Sequence, residues 1–339
     1  MSSSNSESLA IPETTSPELW SPIGSTLGTC IGISNSEVIE YTKCKTSWLF
    51  KYHPELLLSP ITLGPARTRG IIGHSALEIF YTHLKDGASH LEAVMYALKY
   101  INQEYDEATE TDDVDKMTMI RRLRTLVARY FEYYKSDILN WEIISVEAVY
   151  SMQAPGVTKY YLPMRMDLVV YMKTGKYAGE ICTVDHKFTY DFWPQIKIDM
   201  NSQIPLYIRA LRESIQRGEI EGHSDGVVRR SIFNFLRYRD LPDVPDHELF
   251  HRAYPKPEKY TLEAVFNNHM QIAAEIEEIK RLPLAEARKR VTLSLTGSSC
   301  QYCDFKRICV VNLQGGDATY EIMGTMKKST YGYPALEEF

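Results

Sequence analysis

The sequence predicts an α/β fold: a helical front half, a central group of strands, then further helices and a cysteine-rich turn. Three observations carry this. Apolar residues recur at helical spacing between Ser34 and Ser136. Alternating, β-branched runs between Ile143 and Phe188 read as strands. Helical spacing returns at Met200, and Cys300, Cys303 and Cys309 crowd the far end. A chain of 339 residues, 44% apolar and 24% charged, can bury a large core. The order of elements favours one α/β core with a helical insertion at roughly 85–140 over two independent domains.

Each element has its own signal. Ser34 to Tyr52 predicts a helix that Ser34 or Ser36 can cap, with Val38, Ile39, Tyr41, Trp48, Leu49 and Phe50 as its apolar contacts. Pro54 and Pro60 end that pattern. Further helices are predicted over Thr68–Leu84, Leu91–Asn102 and Lys116–Ser136, with the acidic, solvated stretch Thr111–Asp115 before the last. Ile143–Ser151 predicts a strand. Tyr161–Met172 and Tyr177–Phe188 predict two more, joined by the turn Lys173–Lys176. Met200–Arg217 reads as helix, with Ser202 as candidate cap and Pro205 tolerable in the first turn. Val227–Leu236 reads as strand and Thr261–Arg281 as helix. The expected division is a flexible arm over 1–30, a main domain over 31–310 and a tail over 311–339.

Composition narrows the function classes. A formal net charge of −6 excludes a nonspecific basic coat but leaves room for a local basic groove. No apolar run is long enough to span a bilayer, so no membrane partner is expected. Met1–Ser21 lacks the layout of a signal peptide, which points to a reducing, intracellular (cytoplasmic) setting. There, six cysteines read as metal ligands or free thiols rather than a disulfide framework.

Two sets of residues carry chemistry. Asp167 and Asp185 are charges inside apolar, strand-like runs, where an unpaired charge is costly. On adjacent strands they can share one hard divalent cation such as Mg²⁺ or Mn²⁺. Lys187, two residues on, projects from the same face and can orient a water or stabilise developing negative charge. An isolated Asp-x-Lys triplet reads as exposed surface; its apolar setting is what singles this one out. His74 alone reads as a structural helix histidine, although imidazole beside two acids also suits Mn²⁺. Glu78, one turn later, reads either as a partner of His74 or as a surface charge. Gln203 and Tyr207 share a helix face. The second set is Cys300-x₂-Cys303-x₅-Cys309, three thiols that want a fourth. Cys44 is the best candidate and Cys30 the reserve, while Cys182, within a strand, reads as a buried thiol. Four thiolates can hold zinc or an iron–sulfur cluster, and spacing does not choose between them.

In this order, Gly70-x-x-Gly73-His74, Asp167 in an apolar strand, Asp185-His186-Lys187 and Gln203-x₃-Tyr207 resemble the RecB-like branch of the PD-(D/E)xK nuclease superfamily. The leading Pro163-Met164-Arg165-Met166 departs from that branch's glycine-rich approach to the first acid. The resemblance covers roughly residues 34–310. It implies a restriction-endonuclease-like core. It also implies a metal site from His74, Asp167, Asp185 and the His186 carbonyl, a catalytic Lys187 and supporting roles for Gln203 and Tyr207. One N-terminal cysteine with a C-terminal triplet is similar to the iron–sulfur nucleases, among them AddB-type nuclease domains and CRISPR-associated RecB-like exonucleases. That implies a structural 4Fe–4S cluster on Cys44, Cys300, Cys303 and Cys309 joining the two ends of the chain, with zinc as the alternative. The expected activity is metal-dependent DNA exonuclease action on ends or single strands, in recombination, repair or replication. Arg165, Lys197, Arg237, Tyr238 and Arg239 are candidate substrate contacts. The alternative is a non-cleaving DNA-binding or assembly subunit; intact Asp167, Asp185 and Lys187 argue against it.

Overall fold

The computed structural model describes residues 31–153, 160–239, 244–295 and 297–329. The expected arm, the reserve ligand Cys30 and the end of the tail lie outside the described residues.

β1 (Ile31–Gly32) leads into α1 (Asn35–Lys43), where the Ser34 side chain accepts the Glu37 N–H and so caps the helix. The single helix expected over Ser34–Tyr52 is in fact broken. Cys44 is extended, at φ −162° and ψ 112°, and α2 (Lys45–Tyr52) starts immediately after it. Helical periodicity survives a one-residue break, which is why the sequence hides it. After β2 (Leu58–Pro60), α3 (Pro65–Lys85) opens on a proline, whose missing N–H is harmless in the first turn. Ser89 and Glu92 cap α4 (His90–Glu110) reciprocally, and Asp113 caps α5 (Val114–Tyr133).

The one-turn α6 (Asp137–Asn140) precedes β3 (Trp141–Gln153), β4 (Tyr160–Met172) and β5 (Ile181–Thr189). The last of these begins four residues later than the expected Tyr177. Gly175 and Gly179, at φ 83° and 85°, turn the intervening segment back on itself. α7 (Gln195–Asp199) and α8 (Gln203–Gln216) follow. Ser202 does not cap α8; the Asn201 side chain accepts the Gln203 N–H at 2.9 Å instead. Then come β6 (Ser231–Arg237), α9 (Asp246–Leu249), β7 (Phe250–Ala253), α10 (Lys259–Lys280), α11 (Leu284–Arg290), α12 (Gly297–Gln301) and α13 (Lys306–Leu313). The tail carries α14 (Thr319–Thr325) and β8 (Met326–Lys328), and β8 pairs with β2.

The chain divides into two compact units. Among the described residues, one comprises 31–59, 153, 160–162, 270–295 and 297–329, so segments near the start and the end of the described chain belong to it. Phe50, Leu58, Phe305, Ile308, Ala318 and Met326 form one of its cores, with Cys303 and Cys309 packed against them. Within the same unit Lys280 pairs with Glu37 at 2.7 Å, both side chains almost fully buried, and the Trp48 indole N–H donates to the same carboxylate at 2.9 Å.

The other unit comprises Pro60–Met152 and Pro163–His269. Its sheet runs β4-β5-β6-β7, with β3 on the far side of β4. β4 and β5 are antiparallel, β5 and β6 parallel, β6 and β7 antiparallel. Leu168, Val170, Val184, Ile232 and Leu236 pack with buried residues of α3, α4 and α5. Strand residues of the other parity, Asp185 and Lys187 among them, point to the opposite face, where α8 packs on β5 and β6. No described helix is long and apolar enough to cross a membrane.

Candidate active site

The β4–β5 ladder closes with the pair Leu168↔Val184, and the next residue on each strand is an acid, Asp167 and Asp185. A ladder that stops there leaves a backbone donor free. The His186 N–H donates to the Asp167 carboxylate at 2.8 Å. Lys187 lies two residues beyond Asp185 on the same face, and its Nζ sits 2.6 Å from Asp185 Oδ2. From Lys187 a chain of contacts runs onto α8. Its Nζ donates to Gln203 Oε1 at 3.4 Å, Gln203 Nε2 donates to the Tyr207 hydroxyl at 2.5 Å, and that hydroxyl donates to the Arg165 carbonyl at 2.8 Å. The four-residue spacing of Gln203 and Tyr207 is what places both on this line.

α3 brings His74 from the other side of the sheet. Its Nδ1 lies 3.3 Å from Asp167 Oδ2. The approach depends on Gly73: a Cβ there would meet the Phe188 ring of β5 at 2.4 Å. Gly70 has no such neighbour within 4 Å. Glu147 of β3 completes the group. One ligand atom from each of His74, Glu147 and Asp167 lies within 4.8 Å of the others. The backbone at Glu147 has φ 49°, a left-handed conformation uncommon outside glycine. Among the described residues no hydrogen bond reaches its carboxylate.

The electrostatics follow from crowding several acids under little solvent. Burial pushes the Glu147 carboxyl up to about 8, and the charges of Asp167 and Glu78 add to that. Burial raises Asp185; the Lys187 charge opposes this and Asp167 reinforces it, so Asp185 stays raised. Burial would raise Asp167 too, but His74 and the Lys187 charge hold it well below the usual carboxylate range. Burial alone would lower Lys187 and His74; their neighbouring acids outweigh it and raise both. Lys187 is therefore a cation here, not a base. Glu78 is raised by burial, and the charges of Arg165 and His74 act on it.

The donor set fits a hard divalent cation. An octahedral Mg²⁺ with bonds of about 2.1 Å holds its ligand atoms about 3–4 Å apart. The ligand atoms of His74, Glu147 and Asp167 all lie within 4.8 Å of one another, and His74 and Asp167 are already 3.3 Å apart. A bound cation would also offset the burial, and the neighbouring acids, that raise Glu147 and Asp185.

His186 faces away from the acids. Asn234 Nδ2 donates to its Nδ1 at 2.8 Å, and also lies 2.9 Å from the Tyr130 hydroxyl. Arg252 Nε donates to Asn234 Oδ1 at 3.1 Å and holds Asp137 through two further bonds. Tyr81 stacks on the imidazole at 5.6 Å. Burial holds the ring neutral, at about 3. This network fixes the His186 side chain, and through it the backbone between Asp185 and Lys187.

The structure brings Cys44, Cys300, Cys303 and Cys309 into one unit. The Cys309 thiol is pushed up to about 11, first by burial and then by Cys303, Cys44 and Cys300 around it. Cys44 sits at the α1–α2 break described above. Cys182 is a fully buried strand residue of the other unit, raised by burial to about 12.

Of the candidate substrate contacts, Arg165 is exposed on β4 beside the acids. Lys197 lies 4.0 Å over the Trp193 ring, and Arg237 donates to the Glu248 carbonyl at 3.3 Å. Tyr238 and Arg239 line a separate cavity. Sequence reasoning missed Glu147 and the Asn234–Arg252–Asp137 network. Glu147 did give one signal: it is a lone charge in the β-branched run Ile143–Ser151, the argument that marked Asp167.

A family profile for the PD-(D/E)XK nuclease superfamily matches residues 32–310, and the chain belongs to that superfamily. Its members are usually metal-dependent nucleases that use divalent cations on nucleic acid. A search of the curated proteins found no match.

Proposed function

We propose that this protein is a divalent-metal-dependent deoxyribonuclease of the RecB-like type, acting as an exonuclease on DNA ends or single strands. The carrying observation is the unbroken line from Asp185 through Lys187, Gln203 and Tyr207 to the Arg165 carbonyl. His74, Glu147, Asp167, Asp185 and the His186 carbonyl would hold Mg²⁺ or Mn²⁺. When bound, the cation would supply Lewis acidity at the scissile phosphate. Lys187, kept cationic by Asp185, offers N–H donors to the charge that develops on the phosphoryl oxygens. Gln203 and Tyr207 fix where the ammonium points. Arg165 supplies positive charge at the edge of the site.

Cys44, Cys300, Cys303 and Cys309 would hold a structural 4Fe–4S cluster. Zinc bonds of about 2.3 Å would draw four sulfurs to about 3.8 Å from one another. The choice of iron–sulfur over zinc rests on the resemblance of one N-terminal cysteine with a C-terminal triplet to the iron–sulfur nucleases. Two measurements test the reading. A linear single strand should be digested while the same sequence as a closed circle survives; cleavage of the circle would contradict exonuclease action. Anaerobic preparations should contain iron and sulfide, and stoichiometric zinc without iron would overturn the cluster but leave the nuclease site standing.

A further inference from the structure

A second basic feature lies outside the acids. A cavity of about 320 Å³ opens among α3, α5 and the ends of β5 and β6. Its walls include Arg69, Arg122, Arg239, Tyr190, Tyr238 and one acid, Asp115. Three guanidiniums against one carboxylate give the lining a net charge of +2. Arg239 is paired with Asp191 at 3.1 Å. Arg69 and Arg122 have no ion-pair partner among the described residues. The Arg69 guanidinium lies 3.3 Å over the Tyr238 ring, and its Nε is buried with no hydrogen-bond acceptor. Burial lowers the Arg69 pKa, the mark of a cation held without a counter-charge. A half-buried guanidinium with an unsatisfied Nε and no ion-pair partner among the described residues is a place where an outside anion can bind.

The aromatic side of the cavity narrows the ligand. Tyr190 and Tyr238 stand 5.8 Å apart at 68°, and Tyr190 is 54% exposed. An exposed phenol ring beside guanidiniums is a stacking surface for a base attached to a phosphate. At about 320 Å³ the space is of a size to admit a nucleotide. Tyr190 lies three residues past Lys187 along the strand direction, about 10 Å away. That span is a nucleotide or two of single strand.

Resting on the proposed nuclease reading, we infer that this cavity captures the terminal, phosphorylated nucleotide of the strand being cut: Arg69 and Arg122 take the phosphate and Tyr190 the base. Charge selects the end over the middle. An internal phosphodiester carries one negative charge, whereas a terminal phosphomonoester carries about −1.5 to −2 at neutral pH. Two unpaired guanidiniums and a lining of +2 match the monoester. Tyr238 holds Arg69 in place by stacking, so it positions the phosphate ligand rather than contacting substrate.

The test uses full-length protein with Asp185→Ala, which blocks turnover. Internally labelled single strands carry a 5′-phosphate, a 3′-phosphate or hydroxyls at both ends, and binding is followed by fluorescence anisotropy. One phosphorylated strand is expected to bind about tenfold tighter than the hydroxyl strand, and whichever it is reports the direction of entry. Arg69→Gln and Arg122→Ala, each added to Asp185→Ala, should remove that preference while leaving affinity for the hydroxyl strand. Arg122 is exposed, so its variant keeps the test valid even where Arg69→Gln unfolds the protein. Equal binding of all three strands, or a preference that survives Arg122→Ala, overturns the terminal-phosphate pocket alone. Failure of every strand to bind overturns the DNA-nuclease reading along with it.

Discussion

Glu147 shows how a residue can be committed to a site without any motif. Its carboxyl keeps a proton in the folded state up to about pH 8, against an ordinary value of 4.5. Between those values the folded chain binds a proton that the unfolded chain has released, so the metal-free protein loses stability as pH rises through that window. Glu147→Gln should flatten this part of the curve. In chelator at pH 8.5 the variant should be more stable than the wild type by on the order of 1 kcal/mol, and the two should converge near pH 4.5. Adding Mn²⁺ should reverse the order, since the amide is a weaker ligand. Parallel pH curves for the two proteins would remove Glu147 from the ligand set. Lys187→Ala makes the complementary case: DNA cleavage should disappear while Mn²⁺ still binds, and a titration showing no metal uptake would assign Lys187 to the metal rather than to the phosphate. The two aspartates were legible in the sequence because a charge in an apolar strand needs a reason. The left-handed backbone that delivers Glu147 was not, because strand patterning carries no sign of φ.

At the level of elements the site depends on how closely α3 lies against β5. Gly73 sets that distance, since a methyl group would press into the Phe188 ring at 2.4 Å. Gly73→Ala should push the helix and ring apart, costing about 1–3 kcal/mol in strain. It should also lengthen the His74–Asp167 contact, now 3.3 Å. A lower melting temperature together with weaker Mn²⁺ binding is the expected outcome; unchanged metal affinity would show that His74 is not a ligand. Helices α3, α4, α5 and α8 and strands β3 to β6 were visible from periodicity, with shifted ends. The break at Cys44 was not, because one extended residue barely disturbs an apolar repeat. Nor was the β2–β8 pairing, where three-residue strands at opposite ends of the chain leave no pattern to read.

At the scale of the whole molecule, the unit that carries Cys44, Cys300, Cys303 and Cys309 is assembled from early and late segments of the described chain. A bound cluster would close a loop of about 250 residues and constrain the unfolded state accordingly. Cys300→Ala should lower the melting temperature and bleach the expected brown chromophore, whereas Cys182→Ala should leave the colour intact. Retained colour in Cys300→Ala would reassign the ligand. The dense C-terminal triplet and the lone Cys44 already suggested from the sequence that the two segments meet, and the fold places both in one unit; what the four thiols hold is a proposal. The acidic total charge hid the arginine cavity, because composition averages over surfaces that the fold keeps apart.

The most direct measurement of the central claim is hydrolysis of an end-labelled single strand by anaerobically purified protein, with Mg²⁺ or Mn²⁺, with chelator, and by Asp185→Ala. Digestion by the wild type is expected with either cation, none in chelator and none by Asp185→Ala, whose melting temperature in chelator should stay close to that of the wild type. Cleavage that persists in chelator or in Asp185→Ala would contradict the central claim, as would an intact, metal-loaded wild-type protein that leaves DNA whole.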